Sequence, residues 1–241
     1  MQKKPLILTL LTGLALSGAA PAALIPYTSG GVQLVYDDDR DLTWVANANL
    51  FKTQYDADNT VVNQIIAAVP TITDGLGVHT VVAGDFFTSS GSMTWWGAKA
   101  WAEWLDYGGA DDWRLPTALN ADGSGPCVGH NCTGSEMGHL FYTEGGLSAG
   151  QSILADPPGK LDDYFTNMQP GVYWSGTEYA PDPRFAWYFY TDDGFQDAYY
   201  KSNSYYAWAV RPGQIAAVPE PATLLLLGLG LAGLGAMRRR G

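Results

Sequence analysis

The hydrophobic residues between Met93 and Gly109 recur at intervals of three and four positions, in a stretch that carries four of the nine tryptophans. At about 100° per residue this spacing places them on one side of a helix. Thr94 suits the N-cap, and Gly108 is of the residue type that ends helices with a positive φ. The pattern therefore predicts a helix from Trp95, around which a packed domain forms. Its apolar face would consist of Trp95, Ala98, Trp101, Ala102 and Leu105.

Two other segments show the same spacing. Valine and isoleucine pairs between Phe51 and Val69 predict a helix that ends before Pro70. Ser135, which follows a loop rich in Gly, Asp and Asn, can cap a third helix. The apolar face of this third helix would consist of Met137, Leu140 and Phe141.

Alternating apolar and polar residues predict strands in two parts of the chain. Residues 31–45 read as a hairpin around the acidic turn Asp37-Asp38-Asp39, and the last third is rich in aromatic, strand-like segments. The strands expected there are Val172–Ser175, Phe185–Tyr190, Gln196–Lys201 and Tyr205–Arg211, with a turn at Thr191–Gly194. Together these elements predict an α+β protein: one mixed domain with a small twisted antiparallel sheet and two or three helices.

The segment Trp113-Arg114-Leu115-Pro116-Thr117 should be extended, because proline disfavours the α region for the residue before it. Arg114 lies between two core residues, so its guanidinium should be held near the core. A desolvated arginine requires a carboxylate or several carbonyls. We expect a structural arginine that ties this segment to a neighbouring strand, in preference to a ligand contact.

The charge balance limits the partners. The chain carries 13 Lys and Arg against 24 Asp and Glu, a net charge of −11, and five of the basic residues lie in the two terminal segments. A body this acidic is repelled by phosphate backbones and anionic lipid, so nucleic acid is not expected as a partner. Divalent cations and neutral glycans suit it better.

The N-terminus has the organisation of a secretory signal peptide over residues 1–22. Lys3 and Lys4 precede an apolar run, Leu6–Leu16, and Ala20-Pro21-Ala22 offers a cleavage site. Export places the protein in an oxidising compartment. We expect the globular domain to span residues 23–217.

The C-terminus, residues 218–241, has three consecutive parts: a Pro-Glu-Pro sequence, an apolar run over Ala222–Met237 and a basic cluster. These parts contain Pro219, Glu220 and Pro221 at the start and Arg238, Arg239 and Arg240 at the end. The segment resembles the PEP-CTERM sorting signal of Gram-negative bacteria. The resemblance implies a hydrophobic sorting helix with transient membrane association, and recognition and tail removal by an exosortase-type membrane peptidase. It further implies delivery to the cell surface or exopolysaccharide matrix. The alternative is a plain C-terminal membrane anchor, although sixteen residues make only about 24 Å of helix.

The body of the chain resembles the Lcl C-terminal domain family, an exported bacterial domain, over about residues 30–213. The resemblance is carried by Asp39–Asn49, the Trp-rich helix, Trp113–Thr117, Ser135–Leu140, Tyr173–Glu178, which includes Trp174, and Ala209–Pro212. The same motifs are distantly similar to the formylglycine-generating enzymes and the C-type-lectin-like fold. Here a loop separates Thr117 from Ser135, and the enzyme's copper-binding cysteine pair is missing. That activity is therefore not carried over.

The two cysteines, Cys127 and Cys132, lie in a glycine-flanked loop of an exported chain, which favours a local disulfide. The alternative adds His130 and His139 as ligands for zinc, although the spacing matches no common zinc module. We expect no cofactor, with calcium at non-EF-hand sites within the acidic turns as the alternative. The candidate ligands are Asp37, Asp39, Asp192 and Asp193.

No pattern identifies a catalytic constellation. Gly146–Gly150 matches G-x-S-x-G, but all three histidines precede it, whereas α/β-hydrolases place theirs later in the chain. Sixteen aromatic residues lie between Tyr164 and Trp208, and strand alternation should bury about half of them. The others either form an exposed face that suits sugar rings, beside carboxylates, or only complete the core and the sheet surface. We therefore expect a non-enzymatic protein of the cell surface or exopolysaccharide matrix that binds glycan. The alternative is a secreted carboxylate- or metal-dependent enzyme that acts on polysaccharide.

Overall fold

A computed structural model describes residues 24–155 and 161–215 of the chain. The predicted signal peptide and the predicted sorting segment, with its six named Pro, Glu and Arg residues, lie outside the described residues. Within these residues the protein is mixed α+β, and every sheet is antiparallel. None of the helices described combines the length and the apolar composition needed to cross a membrane.

Strands and short helices alternate along the chain. The strands are β1 (Leu24–Ser29), β2 (Val32–Asp37), β3 (Leu42–Val45), β4 (Thr71–Asp74), β5 (Gly77–Thr80), β6 (Phe86–Phe87), β7 (Ser92–Met93), β8 (Val172–Glu178), β9 (Phe185–Tyr190), β10 (Phe195–Tyr200) and β11 (Val210–Pro212). The α-helices are α1 (Leu50–Ala57), α2 (Val61–Ala68), α3 (Trp95–Trp104) and α4 (Glu136–Gly138). A π-helical turn over His139–Glu144 continues α4, and 3-10 turns lie at Ala83–Asp85 and Leu161–Asp163.

The strands form four sheets rather than the single small sheet predicted. One sheet has the order β1-β2-β3-β11, a second has the order β10-β9-β8, and β4-β5 and β6-β7 are two-stranded hairpins. The described residues also contain four α-helices, where two or three were expected. Part of the difference in strand number lies in residues 71–91. The strands β4 and β5 there are short and mostly exposed, so their sequences show little of the hydrophobic alternation from which strands are predicted.

Helix α3 begins where the sequence predicts. The Thr94 side chain caps it by accepting a hydrogen bond from the Gly97 amide, and Trp95, Ala98 and Trp101 are buried. The helix ends at Trp104, four residues before Gly108, whose φ of +69° serves a later turn. The glycine therefore follows the helix without capping it.

The single helix predicted over residues 51–69 is wrong in one respect, because the segment forms two helices, α1 and α2. Asp58 stands between them with an extended backbone, φ −145° and ψ 103°. Its carboxylate accepts hydrogen bonds from the Thr60 amide at 2.9 Å and the Thr60 hydroxyl at 2.6 Å. Such local side-chain bonds compete with the helical backbone pattern, which explains the break.

The last predicted strand is shorter than expected, since only Val210–Pro212 pairs in a ladder. The earlier part of this segment changes partner from residue to residue. Tyr205 forms an isolated bridge with Met93, and Tyr206 forms one with Tyr173. The segment thus crosses between sheets instead of extending one of them.

The core divides into two clusters. The first surrounds α3 and contains Trp95, Trp101 and Trp174. The second lies between the four-stranded sheet and the π-helical turn and contains Trp44 and Trp208, whose rings meet edge to face at 5.3 Å. Large aromatic side chains supply much of the buried area, as expected for a domain with this many tryptophans.

Candidate functional site

The Trp113–Thr117 segment is fixed to the fold at each end. The Arg114 amide donates to the Val210 carbonyl, and the Val210 amide donates to the Arg114 carbonyl, both at 2.8 Å. The Trp113 indole donates to the carbonyls of Tyr107 and Ala110, and the Pro116 carbonyl accepts from the Gly176 amide. The segment therefore links β11, through Val210, to β8, through Gly176.

The Arg114 guanidinium finds the carboxylate that its position requires in Glu136, the first residue of α4. Its two terminal nitrogens donate to the two Glu136 oxygens at 2.8 and 2.7 Å. The Thr117 amide also donates to Glu136, at 2.8 Å. The pair borders a surface cleft of about 350 Å³, but both terminal nitrogens are committed to Glu136. The geometry supports a structural role, although the Arg114 side chain ties the segment to α4 and not to a neighbouring strand as predicted.

Trp174 is fully buried on β8. Its indole donates to the Met93 carbonyl at 3.0 Å, and its ring lies 4.5 Å from that of Tyr205. Leu115 is 2% exposed. These residues of the predicted structural motif serve the core, and they present no polar group for chemistry.

The disulfide between Cys127 and Cys132 is confirmed. Because both thiols are closed, the alternative zinc set of two cysteines and two histidines is wrong. The histidines also separate: His130 lies 3.7 Å from Asp193, and His139 faces other carboxylates. The Cys127 carbonyl accepts from the Gln196 side chain at 2.8 Å, which fixes the loop to β10.

Sequence reasoning missed a fully buried lysine. Lys201 has a side chain with 0% exposure, and its ammonium donates to Asp74 at 2.7 Å and Glu178 at 2.9 Å. The ammonium also lies 4.4 Å from the centroid of the Trp95 ring. Its position after two exposed tyrosines gave no sign of burial. The network joins β4, β8 and α3 around one charge.

An aromatic patch covers the open end of the β9-β10 hairpin. We define it as Tyr179, Phe185, Trp187, Tyr199 and Tyr200. The Phe185 and Tyr200 rings are 4.2 Å apart, and Tyr179 lies 5.7 Å from Trp187. Tyr199 and Tyr200 are 46% and 44% exposed and their rings lie 5.6 Å apart, whereas Trp187 is buried. The patch therefore combines a buried ring, Trp187, with rings that solvent can reach.

Charged groups border the aromatic patch. Arg184, directly before Phe185, forms an exposed bidentate ion pair with Asp182, with contacts of 2.6 to 3.1 Å. Hydrogen bonds from Arg184 hold the pKa of Asp182 below its usual value. Both groups stay charged at neutral pH, and because the Arg184 side chain is 63% exposed, compared with 37% for Arg114, a ligand can reach it beside the exposed rings.

A second polar cluster is buried under the β2-β3 turn. Asp37, His139 and Glu144 each offer one ligand atom, and these atoms lie within 4.8 Å of one another. The His139 Nε2 atom is 3.1 Å from Glu144 Oε1 and 3.7 Å from Asp37 Oδ1. Burial raises the pKa of Asp37 to about 6, with His139 opposing the rise and Glu144 adding to it.

Of the four calcium candidates, Asp37 alone belongs to a group of three potential metal ligands within the described residues. Asp39 and Asp192 are exposed, Asp193 faces His130, and Asp37 turns inward to the buried cluster. Among the described residues, Asp37, His139 and Glu144 form the one group of three such side chains close enough to share an ion. Asp37 was predicted as a calcium ligand and His139 as a zinc ligand, but nothing in the sequence joined them to each other or to Glu144, because Asp37 lies about a hundred residues before the other two.

Two family models match the chain. The Lcl C-terminal domain model matches residues 33–211, and the PEP-CTERM protein-sorting motif matches residues 217–240. Comparison with curated proteins gives no match. The sorting motif indicates an exported protein that an exosortase handles. With the first match spanning most of its length, the chain belongs to the Lcl C-terminal domain family and carries a PEP-CTERM sorting motif behind that domain.

Proposed function

We propose that this chain is a non-enzymatic protein of the cell surface or exopolysaccharide matrix, and that its globular domain binds glycan through the aromatic patch. The observation that carries the proposal is the pair of exposed rings, Tyr199 and Tyr200, beside the Asp182–Arg184 ion pair. Aromatic faces provide apolar contact for the C–H faces of sugar rings, and their polar tips and neighbours can bind hydroxyl groups.

The organisation of the chain supports the location. In this proposal residues 1–22 are a signal peptide, residues 23–217 a domain of C-type-lectin-like fold, and residues 218–241 the sorting segment. An exosortase-type peptidase recognises Pro219–Pro221 while the apolar run holds the chain at the membrane, and then removes the tail. The intact mass of protein recovered from the native envelope and medium tests this. A mass that retains the tail, found only in membranes, would contradict matrix sorting.

The contacts of the three histidines support the proposed absence of catalysis. Each of the three faces a carboxylate: His79 lies 3.0 Å from Asp85, His130 faces Asp193, and His139 faces Glu144. Within the described residues no hydrogen bond joins a histidine to a serine, threonine or cysteine, so a nucleophile–base pair is not assembled there. Turnover of polysaccharide by the purified protein would overturn this part of the proposal.

The glycan claim is tested by binding of the full-length protein to the exopolysaccharide of its own host and to a panel of neutral glycans. If each exposed ring contributes about 1 kcal/mol, as aromatic contacts do, the double variant Tyr199→Ser/Tyr200→Ser should bind about 30-fold more weakly. Its Tm should stay close to that of the unaltered protein, because nearly half of each side chain is already exposed to solvent.

The matched control is Tyr190→Ser, which removes a half-exposed tyrosine at the turn end of the same hairpin. Binding by this variant should equal that of the unaltered protein. Equal binding by the Tyr199/Tyr200 double variant would show that the patch is not the glycan site. No binding by the unaltered protein to any of these polysaccharides would remove the glycan claim altogether.

A further inference from the structure

The buried cluster of Asp37, His139 and Glu144 has the composition of a metal site. Its side chains are 1%, 8% and 5% exposed, respectively. They combine one imidazole nitrogen with two carboxylates, a donor set that transition metals accept, whereas Ca²⁺ prefers six to eight oxygen ligands. None of the three residues belongs to the aromatic patch, so the inference is independent of the proposed glycan binding.

The π-helical turn brings two of the ligands together. His139 and Glu144 are five residues apart, which on an α-helix separates two side chains by about 140° around the axis. The turn instead uses a hydrogen bond from the Gly145 amide to the Leu140 carbonyl, five residues back, at 2.9 Å. This wider turn places both side chains on one side. Single π-helical turns are costly relative to α-helix and are frequent at functional sites.

One carboxylate oxygen of the cluster is buried without a hydrogen-bond partner. Asp37 Oδ1 accepts a hydrogen bond from the Arg40 amide at 3.1 Å, but Asp37 Oδ2 is buried and has no hydrogen-bond partner. The nearby Arg40 guanidinium is bound to the Thr133 carbonyl at 3.0 Å. Two buried carboxylates therefore face one imidazole nitrogen. Buried carboxylates with an unsatisfied oxygen are unfavourable, and buried charges are normally paired or bound to a metal.

We propose that Asp37, His139 and Glu144 bind one Zn²⁺ ion. The distances from His139 Nε2 to Glu144 Oε1 and Asp37 Oδ1, 3.1 and 3.7 Å, bracket the separation of about 3.4 Å between tetrahedral ligands that each lie about 2.1 Å from zinc. Three protein ligands leave a fourth position for the second Asp37 oxygen or a water molecule. The ion would join the end of β2 to the π-helical turn.

The burial of the ligands points to a structural role for this ion. Each side chain is less than a tenth exposed, so a polysaccharide cannot reach the ion directly. The expected consequence of binding is stabilisation of the native state, because the assembled site exists only when the chain is folded. Zinc should therefore raise the Tm and leave glycan binding unchanged.

The test begins with full-length protein stripped of metal with EDTA, whose folded state is checked by circular dichroism. Titration with ZnCl₂ in a calorimeter should give one site per chain. At a free Zn²⁺ concentration of about 100 times Kd, the Tm should rise by about 5–10 °C. The same concentration of CaCl₂ should leave the Tm unchanged, since the site lacks the oxygen ligands that Ca²⁺ requires.

Two variants identify the ligands. Asp37→Asn keeps the shape of the side chain, and His139→Ala removes the nitrogen ligand; each should weaken Zn²⁺ binding by about 100-fold or more. The matched control is His130→Ala, which removes an exposed histidine that also faces a carboxylate, 3.7 Å away. This control should bind zinc as tightly as the unaltered protein. If one of these two ligand variants fails to fold, Glu144→Gln is measured in its place.

Several results would overturn the proposal. Folded, metal-free protein that takes up no zinc would do so, as would tighter binding of Ca²⁺ than of Zn²⁺. Zinc binding that survives in both ligand variants with unchanged affinity would place the ion elsewhere. Loss of binding in His130→Ala alone would move the site to the exposed pair.

Discussion

The ion pair between Arg114 and Glu136 should contribute more to stability than any exposed pair of this domain. Glu136→Gln keeps the side-chain volume but replaces one carboxylate oxygen with an NH₂ group. That group cannot accept the hydrogen bond that Arg114 or the Thr117 amide now donates to this oxygen. Glu136 accepts three hydrogen bonds, two from Arg114 and one from the Thr117 amide, at 2.7 to 2.8 Å. The substitution leaves at least one donor without an acceptor and the Arg114 charge without a partner.

The magnitude follows from the exposure of the two partners. Glu136 is 9% exposed and Arg114 is 37% exposed, so the pair is neither fully buried nor free in solvent. Breaking a buried pair costs about 3–5 kcal/mol and an exposed pair about 0–1 kcal/mol. We expect Glu136→Gln to lower the free energy of unfolding by about 2–4 kcal/mol, which lowers the Tm by about 5–15 °C for a domain of this size.

The matched control is Asp112→Asn, which breaks a second bidentate pair, with Arg211, at 2.6 and 3.0 Å. Asp112 is 49% exposed, so the loss should stay below about 1 kcal/mol. The hydrogen bond from Arg211 lowers the pKa of Asp112, so this contribution is complete above its ordinary pKa and disappears as the pH falls through the lowered value. Urea unfolding of both variants measures the difference. Equal losses, or a loss under about 0.5 kcal/mol in Glu136→Gln, would refute the reasoning.

Two further predictions concern the loop disulfide and the buried lysine. Replacing Cys127 and Cys132 together by serine should lower the free energy of unfolding by about 2 kcal/mol, the loop-closure value for a ring of this size, as measured by urea unfolding; an unchanged midpoint would contradict it. Lys201→Met should cost about 3–5 kcal/mol, because it leaves the buried carboxylate of Asp74 without its cation. Asp74→Asn in the same background should restore part of that loss, and no restoration would show that Asp74 is not the charge at issue.

The sequence by itself determined the elements whose causes are local. The N-caps at Thr94 and Ser135 are where the pattern places them, accepting from Gly97 and Gly138. The acidic turn at Asp37–Asp39 joins β2 and β3 as predicted. The disulfide spans only a few residues, so its partners were evident. Each of these features depends on neighbours within one or two turns of chain, where residue preferences act directly.

Only the tertiary structure decided which distant groups meet. The need of Arg114 for a carboxylate was evident from its place between core residues, but its partner Glu136 lies 22 residues away. The burial of Lys201 depends on Asp74, which is 127 residues away in the chain. Likewise, strand alternation predicts that about half of the aromatic residues in the last third are exposed, but only the tertiary structure shows that Tyr199 and Tyr200 are among them.

The buried cluster shows the same limit most clearly. Helical spacing predicts that His139 and Glu144 point apart, and a π-helical turn, fixed by packing against the second core cluster, brings them together beside Asp37. Local preferences favour an α-helix there by a small margin per residue. Tertiary contacts contribute more than that margin, so the chain adopts the local geometry that the rest of the fold requires.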